Sequence, residues 1–455
     1  MGNLNTTNFR IKMRMKKSWR IKPSRMATET INPIRQIVEN LIIEPNENKK
    51  MIALSIGDPT SFGNMGPSDE AVEAIVQSVR SSKFNGYTHC TGYKEAREAI
   101  ANFITCPEAP VTSQDVIITS GCSHALDLCI SVLASPGDNI LVPRPGFALY
   151  KTLAHGIGVK TKHYDLLPEK GWEVDLDSLR NSIDDSTVAI VVNNPSNPCG
   201  SVFSKEHLKD ILEIAKENRI PIIADEIYDD FIFPGKKFYR MATLTDEVPI
   251  LCCSGLTKKF MVPGWRTGWI IVYDQMGILE ECSIRKGLVS LGQRIIGANT
   301  LVQGAIPDIL KLTPQSFFDD AIAVVQRNAE VAFAMLSNIN GLKPVMPSGA
   351  MYMMVGIDLK VFKYFADDME FVERLISEQS VFCLPGKCFD IPNFVRIVLT
   401  IPEEFIREAC LRIGEFCSDH CYQKRIAEDV QINKYLDCIT DNFKTSVALN
   451  AAEVK

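Results

Sequence analysis

Residues 220–231 read IPIIADEIYDDF: an apolar run that stops abruptly at two carboxylates, Asp225 and Glu226, with Tyr228 three residues past the first. A β-branched run this short, polar only at its end, predicts a strand buried on both faces. The carboxyl end of such a strand is where a parallel sheet meets a ligand. Two plainer readings compete. One is a carboxylate that caps the following helix. The other is the magnesium-binding strand of a nucleotide hydrolase. That reading needs a Gly-x-x-x-x-Gly-Lys-Ser/Thr loop. Neither FPGKKF (233–238) nor LPGKCF (384–389) has the spacing or the hydroxyl.

The same pattern recurs on both sides. DVIITS (115–120), NILVP (139–143), VAIVVNN (188–194), PILCCSG (249–255) and GWIIVY (268–273) are short apolar runs with small or polar ends. Amphipathic stretches such as CSHALDLCISVLA (122–134) and SKEHLKDILEIAKENR (204–219) lie between them. This alternation predicts an α/β fold with a mainly parallel sheet between helices. After residue 300, helical patterns run to about 338. Shorter strands follow, in AMYMMVGI (350–357), SVFCLPG (380–386) and FVRIVLT (394–400), and then a helix over 402–418. The expected division is a basic flexible arm (1–28), the N-terminal part of a smaller α+β domain (29–75), a large domain (76–335), the C-terminal part of the smaller one (336–421) and a polar tail (422–455). Residues before about 70 are assigned to the smaller domain because MIALSIGDPT (51–60) has no βα partner nearby. No internal repeat is visible.

Bulk properties narrow the class. The chain has 455 residues, enough for two domains. Its 46% hydrophobic and 23% charged content matches a globular enzyme. No apolar run approaches the roughly 18 residues of a membrane span, so stable membrane insertion is not expected. Eight basic residues and no acid occupy positions 1–25. Removing those eight charges from a net of −6 leaves −14 on the rest, which argues against a nucleic-acid-binding body. The basic leader fits a solvated arm, a mitochondrial presequence or, through MGNLNT, the myristoylation pattern. The 14 cysteines show neither a Cys-x-x-Cys pair nor zinc spacing, so no metal site is expected, and reduced thiols in a cytosol-like compartment are.

Three further segments hold candidate chemistry. TSGCSHALDL (119–128) is a small-residue turn that opens a helix, a place where amides hold phosphate. VVNNPSNPCG (191–200) and SGLTKKFMVPGWRTGW (254–269) add asparagines, a lysine pair and an arginine. Each alone reads equally well as capping, turn or surface. Their order and spacing are more telling: Asn197 to Asp225 is 28 residues, Asp225 to Lys258 is 33, and Lys258 to Arg266 is 8. With LSIGDPT (54–60), PRPGF (143–147) and the Tyr three residues after the Asp, the chain resembles the fold-type I pyridoxal-phosphate aminotransferases from about residue 30 to 420.

The resemblance implies a set of roles. Lys258, eight residues before the arginine that holds the cofactor phosphate, would carry the cofactor and act in catalysis. Lys259 falls out of step and, in an extended segment, faces the other way. Its charge, with that of Arg266, would favour a neutral amine at 258. Asp225 would face the ring nitrogen, Asn197 and Tyr228 the ring oxygen, and Phe147 the ring face. Gly121, Cys122, Ser123 and Arg266 would hold the phosphate. Tyr87, in NGYTHCTGY (85–93), would reach the phosphate of a neighbouring subunit, which implies a homodimer with shared sites. Arg396, in NFVRIVLT (393–400), would grip the substrate α-carboxylate, with Gly57 nearby. The family's hydroxyl three residues before the lysine is replaced here by Gly255, with Ser254 one place earlier. The implied reaction is ping-pong transamination between amino acids and 2-oxo acids. L-Tyrosine is the expected donor and 2-oxoglutarate the acceptor, giving 4-hydroxyphenylpyruvate. The alternatives are an alanine- or kynurenine-type aminotransferase and a C–S lyase on the same fold. Arg294 is a candidate for the second carboxylate. The expected location is cytoplasmic, with mitochondrial as the alternative.

Overall fold

A computed structural model describes residues 21–41 and 43–421. Most of the basic arm and the polar tail expected after 421 therefore lie outside the described residues. Strands are numbered in chain order. β1 is Ile52–Ala53, β2 Val116–Thr119, β3 Asn139–Arg144, β4 Lys160–Leu167, β5 Glu173–Val174, β6 Thr187–Asn193, β7 Ile222–Asp225, β8 Ile250–Gly255 and β9 Gly268–Tyr273. β10 is Leu342–Pro344, β11 Tyr352–Ile357, β12 Val381–Phe382, β13 Leu384–Pro385 and β14 Phe394–Val398.

The eight-stranded sheet has the order β2-β9-β8-β7-β6-β3-β4-β5. Its centre is parallel, from β4 through β3, β6 and β7 to β8. β9 runs antiparallel to both its neighbours, and β5 to β4. The sheet is thus mainly parallel, as expected, with β5 and β9 reversed. A parallel return needs a crossover of a dozen or more residues, usually a helix. Residues 256–267 hold only a turn and a short 3-10 segment (Pro263–Trp265), so β9 folds straight back beside β8. β4 and β5, absent from the expected runs, were hidden by the polar residues of KTKHYDLL, a strand half-exposed near the sheet edge.

Successive residues of the central strands enter opposite cores. Ile223, Val191 and Leu251 pack on one side of the sheet, and Ile222, Ile190 and Ile250 on the other. That two-sided burial is why these strands lack polar alternation. Helix Lys205–Glu217 covers one face. Ser204 caps it by accepting from the His207 amide, and Leu208, Ile211, Leu212 and Ala215 turn inward. The second sheet has the order β10-β11-β14-β13, antiparallel throughout; the long helix Gln315–Leu336 packs beside it and against the helix Glu403–Asp419. β1 pairs in parallel with β12, which ties the N-terminal stretch to the C-terminal part of the chain. The end of the expected flexible arm is helical instead: Arg25–Glu29 is capped by Ser24, and just beyond it Thr152 Oγ1 donates to the Ile31 carbonyl at 3.0 Å. Among the described residues no helix is long and apolar enough to cross a membrane.

β2, β3, β6, β7 and β8 all point the same way, so their carboxyl ends share one edge of the sheet. The residues past those ends converge there, and the second sheet closes over them.

Candidate active site

A cavity of about 470 Å³ opens at that edge, within the range of small-ligand sites. Asp225, the last residue of β7, is 3% exposed at its floor. Its Oδ2 accepts from Tyr150 Oη at 2.6 Å; its Oδ1 accepts from the Ile227 amide at 3.4 Å and faces Cys122 Sγ at 3.8 Å. Burial pushes this carboxyl up to about 6, against the pull of those donors. Glu226 faces the opposite side of the sheet, 3.5 Å from Arg240, and accepts from the Met241 amide at 3.0 Å. The two carboxylates adjacent in sequence therefore serve separate surroundings.

Lys258 lines the cavity, and its Nζ donates to the Gly57 carbonyl oxygen. The segment around it is a turn, closed by Phe260 N–H to Leu256 O, and not the extended chain expected. Lys259 still points away. It is buried against Phe103, 4.3 Å from the ring centroid, and forms an ion pair with Asp230. Its charge is thus offset on the far side, and does not act beside Lys258 as the sequence suggested. Arg266, in the left-handed region at φ 50°, lines the same cavity and donates to Ser123 Oγ at 2.9 Å. Such a backbone in a non-glycine residue is uncommon and clusters at functional positions.

The helix Cys122–Leu133 begins at this spot. Gly121 precedes it at φ 82°, and a Cβ there would lie 2.5 Å from Arg266 Nη2. The first amides of a helix have no partner within it and favour anions. Gly121, Cys122 and Ser123 thus lie together at this helix start, where backbone amides and the Ser123 hydroxyl could receive an anion. The Cys122 thiol turns toward Asp225 instead. Gly255 pairs with Gly268, and a Cβ at 255 would lie 2.6 Å from the Gly268 Cα, which leaves no room for a hydroxyl side chain. Ser254 lies on the other side of the sheet with Glu226 and Lys259, so it does not replace the missing hydroxyl; Thr257 does line the cavity.

Arg396, on β14, is 3% exposed. Nη1 donates to Asn197 Oδ1 and Nη2 to the Ser55 carbonyl, each at 2.9 Å. The guanidinium lies 4.2 Å from the Tyr352 ring centroid, and Nε has no partner among the described residues. Among the described residues no carboxylate pairs with it, and burial pulls it below the usual arginine range. A buried cation in neutral surroundings is costly until an anion arrives. Tyr228 Oη lies 2.8 Å from Tyr352 Oη, and a Cβ on Gly57 would lie 2.6 Å from that same Tyr352 hydroxyl.

Phe147 lines the cavity as expected, edge-on to Tyr150 at 5.8 Å. Tyr87 does not: it is 88% exposed and outside its own chain's cavity. Arg294 is exposed on the turn Gln293–Ile295 and also lies outside it. Tyr352, Thr257, Tyr150 and Arg35 belong to the site and were missed as site residues; Asn193, a strand-end residue, belongs to it too. Tyr150 stands three residues past Phe147, and Asn193 ends β6 one neighbour from Asp225, so strand-end logic pointed to both. Nothing local marks Tyr352 or Arg35, which other parts of the chain deliver.

The donor set suits a phosphorylated pyridine aldehyde: an amine, a carboxylate for a ring nitrogen, and an anion cradle whose glycine a side chain would fill. Comparison with known proteins agrees. Residues 49–413 match the family described as aminotransferase class I and II. The chain is 53% identical to the tyrosine aminotransferase of Mus musculus over 420 residues, 92% of each chain, and 53% identical to that of Homo sapiens over 410 residues, 90% of each. Among solved structures, tyrosine aminotransferase from Leishmania infantum superposes with a TM-score of 0.84 at 35% identity, covering 89% of this chain and all of that one. Alanine aminotransferase from Pyrococcus furiosus gives 0.81 at 30%, covering 88% and 100%. A match spanning both sheets and every strand end that shapes the cavity places this chain in the class I and II aminotransferase family, as a pyridoxal-phosphate-dependent enzyme of the fold-type I group.

Proposed function

We propose that this aminotransferase moves the amino group of L-tyrosine, and of other aromatic amino acids, to 2-oxoglutarate, giving 4-hydroxyphenylpyruvate and L-glutamate. The observation that carries the reading is Arg396. It is a buried guanidinium that, among the described residues, has an open Nε and no carboxylate partner, in the same cavity as Lys258 and Asp225. An α-carboxylate gripped there would share the cavity with the lysine.

When bound, pyridoxal 5′-phosphate supplies an aldehyde that captures amines and a ring that accepts the electron pair of a carbanion. Gly121, Cys122 and Ser123 would hold its phosphate through amides and a hydroxyl, with Arg266 as a forked partner. Asp225 would meet the ring nitrogen as an anion. Asn197 and Tyr228 would donate to the ring oxygen, and Phe147 would cover one ring face. Lys258 would hold the cofactor at rest, and its freed Nζ would take the proton from the substrate α-carbon and deliver it to the former aldehyde carbon, as general base and then acid. Arg396 fixes the α-carboxylate so that the Cα–H bond faces that amine.

The rest of the cavity suits an aromatic side chain: Ile34, Val38, Phe147, Leu149, Phe382 and Leu384 line it. Arg35, on the helix Pro33–Asn40 at the cavity mouth, is the cation we assign to the second carboxylate of the acceptor, in place of Arg294. The exposure of Tyr87 supports a homodimer in which each copy completes its partner's phosphate site. The described cysteines are all unpaired, which supports a reducing, cytoplasmic setting. A screen of amino-acid donors with 2-oxoglutarate, reading the keto-acid products, tests the specificity. Tyrosine should lead; a clear preference for alanine or kynurenine refutes it and leaves the cofactor chemistry standing.

A further inference from the structure

The catalytic account needs Asp225 to be an anion aimed into the cavity, and little in its surroundings favours that. It is buried at the end of β7. From helix Cys122–Leu133 it faces the Cys122 thiol, from β8 the Cys253 thiol, from beyond β7 the Tyr228 phenol, and from helix Leu149–Gly156 the Tyr150 phenol. Among the described residues no cationic side chain forms an ion pair with it. A thiol at 3.8 Å is a weak donor and the Ile227 amide at 3.4 Å is long. The Tyr150 hydroxyl, at 2.6 Å from Oδ2, has the length of an O–H donor on an ionised oxygen.

We propose that Tyr150 is a positioning residue for the transamination: its hydroxyl clamps Asp225 Oδ2, keeping the carboxylate charged and turned toward the cofactor's ring nitrogen. This rests on the reading of Asp225 above. Three features support it. Tyr150 is 1% exposed, so its direction is set by packing. Its ring meets Phe147 edge-on at an interplanar angle of 89°, so one short segment places both the ring-face residue and the clamp. Its phenol is held far above its ordinary range, by burial first and the Asp225 charge next, and so stays a donor. Loss of that donor leaves Asp225 a stronger base, and the proton shared with the ring nitrogen moves toward the carboxylate.

The test is Tyr150→Phe, loaded with pyridoxal phosphate carrying ¹⁵N in the ring and followed by NMR from pH 6 to 9. Wild type should show a protonated ring nitrogen. In the variant the resonance should move toward the neutral-pyridine position, reporting roughly a tenfold change in proton preference, as expected for one lost bond to a charged group. The kcat for tyrosine should fall by about the same factor with KM little changed. A second variant, with 3,5-difluorotyrosine at position 150, keeps the shape and strengthens the donor, and should leave the ring nitrogen at least as protonated as in wild type. It also decides the matter if Tyr150→Phe does not fold. A folded, loaded Phe variant with a wild-type resonance overturns the clamp but leaves Asp225 in place, as does a neutral ring nitrogen in the difluoro variant. A neutral ring nitrogen in wild type itself overturns the Asp225 reading and the clamp together.

Discussion

At the scale of single residues, the site is a set of groups held in states that water would not allow. Asp225 is the clearest case. Its carboxyl is pushed up to about 6 in the folded chain, above the unfolded value near 3.8. A raised carboxyl contributes stability that is complete below the unfolded value and lost as pH rises to the folded one. The cofactor-free protein should therefore lose about 3 kcal/mol from this group between about pH 4 and pH 6, then level off. Asp225→Asn removes that loss. Urea titrations of the two apoproteins should diverge through this window, the variant the more stable, while the variant binds pyridoxal phosphate more weakly. Parallel curves would show that Asp225 is not a buried acid. Spacing together with the family resemblance singled out Asp225, Lys258 and Arg266, and its place in an apolar strand singled out Arg396. Both missed Tyr150 and Tyr352, whose roles depend on where a hydroxyl ends up after packing.

At the scale of elements, the anion cradle depends on how closely a helix approaches a strand. Gly268 opens β9 beneath the start of helix Cys122–Leu133, and a Cβ there would lie 2.5 Å from the Cys122 amide nitrogen and 2.6 Å from the Gly121 carbonyl carbon. Both neighbours are backbone, so they cannot swing aside. Gly268→Ala should destabilise the fold by about 1–3 kcal/mol. It should also weaken phosphate binding by lifting the helix end, seen as a raised dissociation constant for the cofactor. Unchanged affinity would detach the cradle from this contact. The helix Pro33–Asn40 makes a second test. Arg35→Leu should raise KM for 2-oxoglutarate several-fold and leave that for tyrosine nearly unchanged, since an exposed charged contact contributes about 1 kcal/mol or less to either state. Equal changes for both substrates would refute the assignment. The strands around 225 were legible because two-sided burial leaves a continuous apolar run. The reversal of β9 was not, since run composition is the same for either direction and only the missing crossover helix betrays it.

At the scale of the molecule, the cavity is assembled from distant parts of the chain: Gly57 near one end, Arg396 near the other, and Lys258 between them. The family's order of segments made that convergence readable in advance, although hydrophobic pattern alone does not say how β1 reaches β12 or that Arg35 lines the cavity. Tyr87 extends the logic to two chains. If each site borrows it from the partner, mixing Lys258→Ala with Tyr87→Ala subunits should restore activity in hybrids up to about a quarter of wild type, since half the dimers are hybrid and each holds one intact site. Activity no greater than that of the separate variants would argue for sites complete within one chain. The whole account turns on which lysine holds the cofactor. Borohydride reduction of the loaded enzyme, followed by peptide mass mapping, answers that directly. The account predicts a pyridoxyl-phosphate adduct on Lys258 and an unmodified Lys259; an adduct on Lys259, or on neither, would contradict it.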